Sequence, residues 1–402
     1  MPMSWLFREE HEIFRRTVRS FVEREIVPHV EEWERQEAIP REIWRRLGEL
    51  GFLGVEYAEE YGGAGADFIT TLVLFEELGR CRAQGVPVAV AVHTDMASPH
   101  LYHLGSEEQK RRYLPAITKG DKVCAIVVSE PEAGSDVAGI RTRARREGDR
   151  YILNGAKTFI TNGVYGDLYF VAARTGDSAP GARHKGISLL MVEKGSPGFQ
   201  VARKLVKTGW WCSDTAELVF QDCPVPAANL LGKEGEGFQA IMDGFQRERL
   251  VTGIIAVAGA QRALEDTLQY MTQRMAFGRP LAHFQALRHR LADMYAQVEA
   301  ARALTYEVAW LFSQGKAEGP GGSGMQAKAI DKEVSAVKLF TCEMANRIAA
   351  EAVQIHGGYG YMRELAVERF FRDARVLTIG AGTSEIMREL IAKRLLPSGE
   401  EP

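Results

Sequence analysis

RYILNGAKTFITN, residues 150 to 162, is rich in branched and aromatic side chains and stops at an Asn-Gly pair. A short run of this kind is a strand. KVCAIVVS from Lys122, DLYFVAAR, GISLLMVEK and AELVFQDCPV share its character, and Gly, Asn and Asp turns part them up to about Pro226. No helical crossover separates these strands, so their order predicts an antiparallel barrel or sandwich.

On both flanks the period changes. FRRTVRSFVEREIVPHVEEW and FITTLVLFEELGRC, before residue 120, repeat apolar residues at three and four, as amphipathic helices do. From about Gly237 the helical period returns in segments near 237 to 275, 281 to 315, 325 to 356 and 383 to 395. Long helices with short connections form an antiparallel bundle. The expected fold is α+β in three units: an N-terminal helical domain (1 to 121), a central antiparallel β domain (122 to 236) and a C-terminal antiparallel helical bundle (237 to 402). A chain of 402 residues has room for that many.

A net charge of -3 and a pI near 6.4 exclude nucleic acid as the main partner, because such binding needs concentrated positive charge. EEQKRRYL (107 to 114) carries both signs and reads as a solvated helix face. Cys81, Cys124, Cys212, Cys223 and Cys342 are scattered, which suits a reducing compartment and offers no zinc spacing. His93, His100 and His103 share a neighbourhood without acid or cysteine partners, so no metal is expected. The N-terminus lacks the apolar core of a signal peptide, and no apolar run approaches the roughly 20 residues that span a bilayer. A cytoplasmic protein without membrane insertion is expected.

Two glycine-rich stretches invite a nucleotide reading. GEGFQA (235 to 240) fits G-x-G-x-x-A, but PVPAANLLG precedes it where a dinucleotide-binding unit needs a strand, so it reads as the opening of a long helix. EGPGGSG (318 to 324) has no Lys-Ser or Lys-Thr and reads as a turn between helices. SEPEAGSDVAG (129 to 139) differs: it sets small residues and two hydroxyls just after a strand, where a ligand can approach backbone N–H groups.

SEPEAGSD, NGAKTFITNG (154 to 163), SDTAELVFQDCPVPAANLLGKEGEGF (213 to 238), RMAFGRPLAHFQ (274 to 285), AVQIHGGYGYM (352 to 362) and RDARVLTIGAGTSEI (372 to 386) follow one another along the chain. In that order they resemble the acyl-CoA dehydrogenase family, and the likeness covers nearly the whole sequence. The resemblance implies an FAD flavoprotein of fatty-acid β-oxidation, an acyl-CoA substrate, an electron-transfer flavoprotein as electron acceptor, and a homotetramer built as a dimer of dimers. It implies that Val128, Ser129, Gly134, Ser135, Phe159, Ile160 and Thr161 surround the flavin ring, with Phe159 covering one face. Arg274, Phe277, Gln285, Gln354, Gly357 and Gly358 then hold the pyrophosphate and adenine end across a subunit interface, and Thr383 and Glu385 make the last nucleotide contacts. Arg274 has the fork of donors that pyrophosphate needs. Ala276 replaces the hydroxyl residue that many relatives carry, which removes one cofactor hydrogen bond.

The residue before Gly-Thr in the last motif is very often the catalytic glutamate of such enzymes; here it is Ala381. Proton removal next to a thioester needs a positioned base, and alanine has none. GFQRERLV (244 to 251) supplies Glu248, at the position to which the long-chain and isovaleryl branches of the family displace their base while keeping a small residue before Gly-Thr. The resemblance therefore assigns Glu248 as base, Arg249 as a structural or substrate-orienting residue pointing away from it, and Ser135, Ala381 and Gly382 to the substrate. Ala381 keeps the N–H that binds the thioester oxygen. The moved base favours long-chain or branched acyl groups. Two rivals stand beside this reading: a flavin monooxygenase on the same fold, which has no use for Glu248, and a non-catalytic acyl-CoA-binding module, which has no use for the flavin motifs.

Overall fold

Helix dominates the described residues up to Thr118: α1 (Glu9–Phe21), α2 (Val30–Gln36), α3 (Arg41–Glu49), α4 (Phe68–Leu78), α5 (Gly85–Ala91), α6 (Ser98–Leu104) and α7 (Glu107–Thr118). This computed structural model describes residues 5 to 176, 182 to 315 and 330 to 396. FITTLVLFEEL is apolar on nearly every side, and α4 is accordingly buried almost throughout. Asp67 starts it by accepting the Thr70 N–H at 3.0 Å.

The strands are β1 (Cys124–Val127), β2 (Arg143–Glu147), β3 (Arg150–Thr161), β4 (Leu168–Arg174), β5 (Ile187–Glu193), β6 (Phe199–Lys204), β7 (Thr215–Pro226) and β8 (Leu230–Leu231). They form one sheet in the order β6-β7-β3-β2-β4-β5-β8. Most neighbours are antiparallel, but β4 departs from that expectation. β1 runs parallel to it with Cys124 opposite Leu168, and Arg143 of β2 meets Arg174 in parallel. The cause is the hairpin β2–β3 lying between β1 and β4 in sequence: two reversals return the chain to its first direction.

The remaining elements are α8 (Gly237–Gln273), the short strands β9 (Met275–Ala276) and β10 (Arg279–Pro280), α9 (Gln285–Gln314), α10 (Asp331–His356), α11 (Ala366–Ala374) and α12 (Ser384–Leu395). α11 was not expected from the sequence, and EGPGGSG lies outside the described residues. α9 runs antiparallel to α10, with Arg290 paired to Glu351 at 3.4 Å and Arg347 bonded to Gln297 at 3.1 Å. α8 and α10 therefore run the same way: Gly253 packs on Val337, and further along Tyr270 stacks on His356 at 4.2 Å. Leu250 to Ala260 of α8 are buried all round, so this helix is the axis on which the other helices pack.

Gly237 shows what the GEGFQA glycines do. A Cβ there would stand 2.6 Å from the Ser188 carbonyl carbon, and the Gly235 N–H donates to Ser188 Oγ at 2.8 Å. They let α8 begin against β5. Gly237→Ala gains up to about 1 kcal/mol of helix propensity but overlaps backbone that cannot rotate away, at a cost of about 1–3 kcal/mol. The expected result is a lower urea midpoint for the variant.

Candidate active site

Glu248 lies half-buried on α8, and its carboxylate has no hydrogen bond or ion pair among the described residues. Burial pushes its pKa up to about 7, against the nearby positive charges of Arg249 and Lys338. Carboxylates pushed that far suit proton abstraction near neutral pH.

Arg249, next on the helix, is buried; its guanidinium stands over the Phe245 ring at 5.7 Å, and its Nε has no partner among the described residues. A Cβ added to Gly382 would lie 3.8 Å from that Nε and 2.7 Å from Met387 Cε. No ion pair joins Arg249 to Glu248 among the described residues. The arginine is packed under the turn that carries Ala381.

That turn is strained. Ala381 has φ 56° and Gly382 φ 91°, consecutive left-handed residues, and the Ala381 N–H meets no acceptor among the described residues. Glycine adopts such a φ freely, whereas alanine does so at some cost and is held there by its surroundings. The holders are visible. Lys338 Nζ donates to the Gly382 carbonyl, and Thr383 Oγ1 caps α12 by accepting the Ile386 N–H at 3.2 Å. The Ser384 hydroxyl is buried without a partner among the described residues, and Glu385 is exposed in the first turn of α12.

A second group gathers at the sheet. Lys157, fully buried on β3, donates to the Val128 carbonyl and to Glu130, both at 2.9 Å. Thr158 N–H donates to the Ser129 carbonyl at 3.0 Å. Glu130 also accepts the N–H groups of Arg141 at 2.6 Å and Thr142 at 3.0 Å. The 128–135 loop is thereby pinned beside the end of β3. There the pairing with β7 slips between Lys157 and Ile160, and Phe159, at φ 60°, is turned out with 72% of its surface exposed. Ile160 points into the sheet core, so only its backbone faces a ligand; Thr161 is half-buried, Val128 is buried, and Gly134 and Ser135 are exposed. The next loop links the two groups, because Thr215 pairs with Thr161 and Trp210 N–H donates to Asp373 of α11 at 2.6 Å.

The third group is remote. Arg274 at the end of α8, Phe277, Gln285, Gln354, Gly357 and Gly358 cluster where α8 and α10 end and α9 begins. At about 1.5 Å per residue Arg274 is about 39 Å along α8 from Glu248. Phe277 is left-handed at φ 51° and 96% exposed, and Arg274 stands over Tyr359 at 5.2 Å. One chain cannot offer both ends of α8 to one small molecule.

The sequence reading missed Lys338, Lys157 and Glu130. Lys338 and Lys157 left a trace, a charged residue standing where the helical or strand period calls for an apolar one; Glu130, in the loop after β1, left none. The three histidines do not converge. Among the described residues no cluster of His, Cys, Asp or Glu could hold a metal ion, and no helix is long and apolar enough to cross a membrane.

Three domain families match in succession: the acyl-CoA dehydrogenase N-terminal domain over residues 8–121, the middle domain over 125–223 and the C-terminal domain over 235–396. The long-chain specific acyl-CoA dehydrogenase of Mus musculus is 40% identical over 392 residues, 97% of this chain and 87% of that protein. The crystal structure of an acyl-CoA dehydrogenase from Geobacillus kaustophilus superposes with a TM-score of 0.90 at 45% identity, covering 97% and 98% of the two chains. An acyl-CoA dehydrogenase from Bacillus anthracis, solved with FAD, gives a TM-score of 0.91 at 33% identity over 98% of this chain and 68% of that one.

The residues present fit an FAD. Two exposed aromatics held at left-handed φ, Phe159 and Phe277, are otherwise costly to leave in water. Gly134, Gly357 and Gly358 leave open space where a Cβ would stand, and no carboxylate pairs with Arg274 among the described residues. The group around Phe159 suits a planar ring and the separate group around Arg274 a pyrophosphate.

Proposed function

This chain belongs to the acyl-CoA dehydrogenase family, FAD-dependent oxidoreductases acting on CH–CH bonds, and on that premise we propose that it converts long-chain or branched acyl-CoA thioesters to trans-2-enoyl-CoA with Glu248 as base. The observation that carries this is the Glu248 carboxylate, pushed up to about 7 on α8, near a turn whose Ala381 N–H is free among the described residues.

When bound, FAD supplies the acceptor for the hydride that leaves the β carbon. Ionised Glu248 takes the proton from the α carbon, which is acidified by the Ala381 N–H donating to the thioester oxygen. A lone N–H aimed at developing negative charge is worth most where water is excluded, and the buried Arg249 and Lys338 side chains fill the space around the turn. Phe159 shields one face of the ring site. The remote Arg274 group serves a second copy of the chain, consistent with its distance from Glu248 and with the exposed Phe277. The assembly is a homotetramer, and an electron-transfer flavoprotein reoxidises it.

The test is anaerobic bleaching of the flavin by a panel of straight and branched acyl-CoAs of graded length. Rapid bleaching by long or branched thioesters is expected. Bleaching by short straight chains alone overturns the substrate class. A protein that stays yellow with every thioester overturns the dehydrogenation itself and favours oxygen-using flavin chemistry.

A further inference from the structure

Lys338 is a lysine buried on α10, beside the close packing of α10 on α8. Their approach is set by Gly253, where a Cβ would stand 2.6 Å from Val337 Cγ1, so α10 presents Lys338 to the stretch of α8 that carries Glu248 and Arg249. No carboxylate lies within ion-pairing distance of its ammonium among the described residues. Its acceptor is the Gly382 carbonyl. A buried cation without a paired anion is unfavourable, and burial lowers its pKa. An apolar side chain would fill the same space at less cost, which argues for a role beyond packing.

We propose that Lys338 is the positioning residue of the active site: its ammonium fixes the left-handed turn at Ala381–Gly382 through the Gly382 carbonyl, and from that place sets a positive charge facing the stretch of α8 that carries Glu248. The second half rests on the reading of Glu248 as the base. The charged and titratable groups around the pair are Arg249 on α8, Asp331 and Cys342 on α10 and Glu385 on α12. Arg249 favours the ionised carboxylate, as Lys338 does, while Asp331 favours the charged form of Arg249 and Glu385 that of Lys338. Loss of the ammonium leaves Arg249 as the one nearby cation acting on Glu248 among these groups. Glu248 then needs a higher pH to ionise. The turn, without its donor, is free to relax Ala381 from its strained φ and swing the N–H away from the thioester oxygen.

Two variants separate the halves. Lys338→Gln keeps an N–H donor and loses the charge; Lys338→Met loses both. The measurements are flavin content and kcat/KM against pH in the holoenzyme, with Glu248→Gln alongside. In both lysine variants the acid limb of kcat/KM is expected to move up by about one pH unit. On the high-pH plateau Lys338→Met is expected to fall at least about tenfold below Lys338→Gln. An acid limb that stays in place in both variants overturns the electrostatic half, and equal plateaus overturn the turn-holding half. Loss of flavin from both variants shows a folding residue and overturns the whole. If Glu248→Gln retains wild-type rates, the base assignment fails by itself, and the plateau comparison still judges the turn.

Discussion

Glu248→Gln is expected to keep its flavin and its fold and to lose turnover by about 10²- to 10⁴-fold, the usual worth of a positioned base. The carboxamide has the shape of the acid and no basic oxygen at working pH. In wild type, kcat/KM should rise with pH through about 7, because burial pushes the Glu248 carboxyl to that value and the ionised form does the chemistry. The same shift bears on stability with the opposite sign. A carboxyl raised from 4.5 to about 7 favours the fold while protonated, and that contribution is lost as pH rises between those values. Glu248→Gln cannot ionise, so its melting temperature relative to wild type should climb from pH 4.5 to 8. Stopped-flow bleaching and thermal melts across pH check both. Wild-type bleaching rates in the variant sink the assignment, and a flat acid limb sinks the environment argued for Glu248.

How much of this could be read from the sequence follows from what sequence patterns record. Glu248 was singled out through the family resemblance, because this chain has at two positions 133 residues apart both halves of the base's displacement, a carboxylate on the helix and none at Ala381. The helix, strand, helix order was legible because period is local. The parallel pairing of β1 with β4 was not, since it joins segments about 40 residues apart and no periodicity records register. α11 escaped notice because nine residues, AVERFFRDA, following the glycines at 357, 358 and 360, are too few to establish a period. Lys338 escaped for another reason: within KEVSAVKLFTCEMA the lysine falls on the stripe of Val334, Thr341 and Cys342, and a charge on that stripe reads as noise until the helix is placed against α8. The distance between Glu248 and Arg274 was in the sequence all along, as helix length, but it acquires meaning only once α8 proves unbroken from Gly237 to Gln273.

Lys157→Met is expected to do the greatest damage to the fold and to flavin binding together. The Lys157 ammonium is fully buried between the Val128 carbonyl and Glu130, and removing it leaves the Glu130 carboxylate in a dry site with only the N–H groups of Arg141 and Thr142. Breaking a buried pair from one side costs about 3–5 kcal/mol, a large fraction of the stability of a typical domain. The damage is local in a useful way, because the same lysine fastens the 128–135 loop to the strand that turns Phe159 outward. FAD affinity should fall with stability. The double variant Lys157→Met/Glu130→Gln removes the stranded charge and should recover part of the melting temperature: the Arg141 and Thr142 N–H groups bond different Glu130 oxygens, so the amide oxygen accepts from one and the amide nitrogen leaves the other unsatisfied. It should recover less of the flavin affinity, because the bond from Lys157 to the Val128 carbonyl stays lost. Thermal melts and flavin titration of the apoprotein, with both variants beside wild type, separate the two effects. If Lys157→Met melts with wild type and binds FAD as tightly, the Glu130 contacts to Arg141 and Thr142 alone hold the loop, and the lysine is dispensable to it.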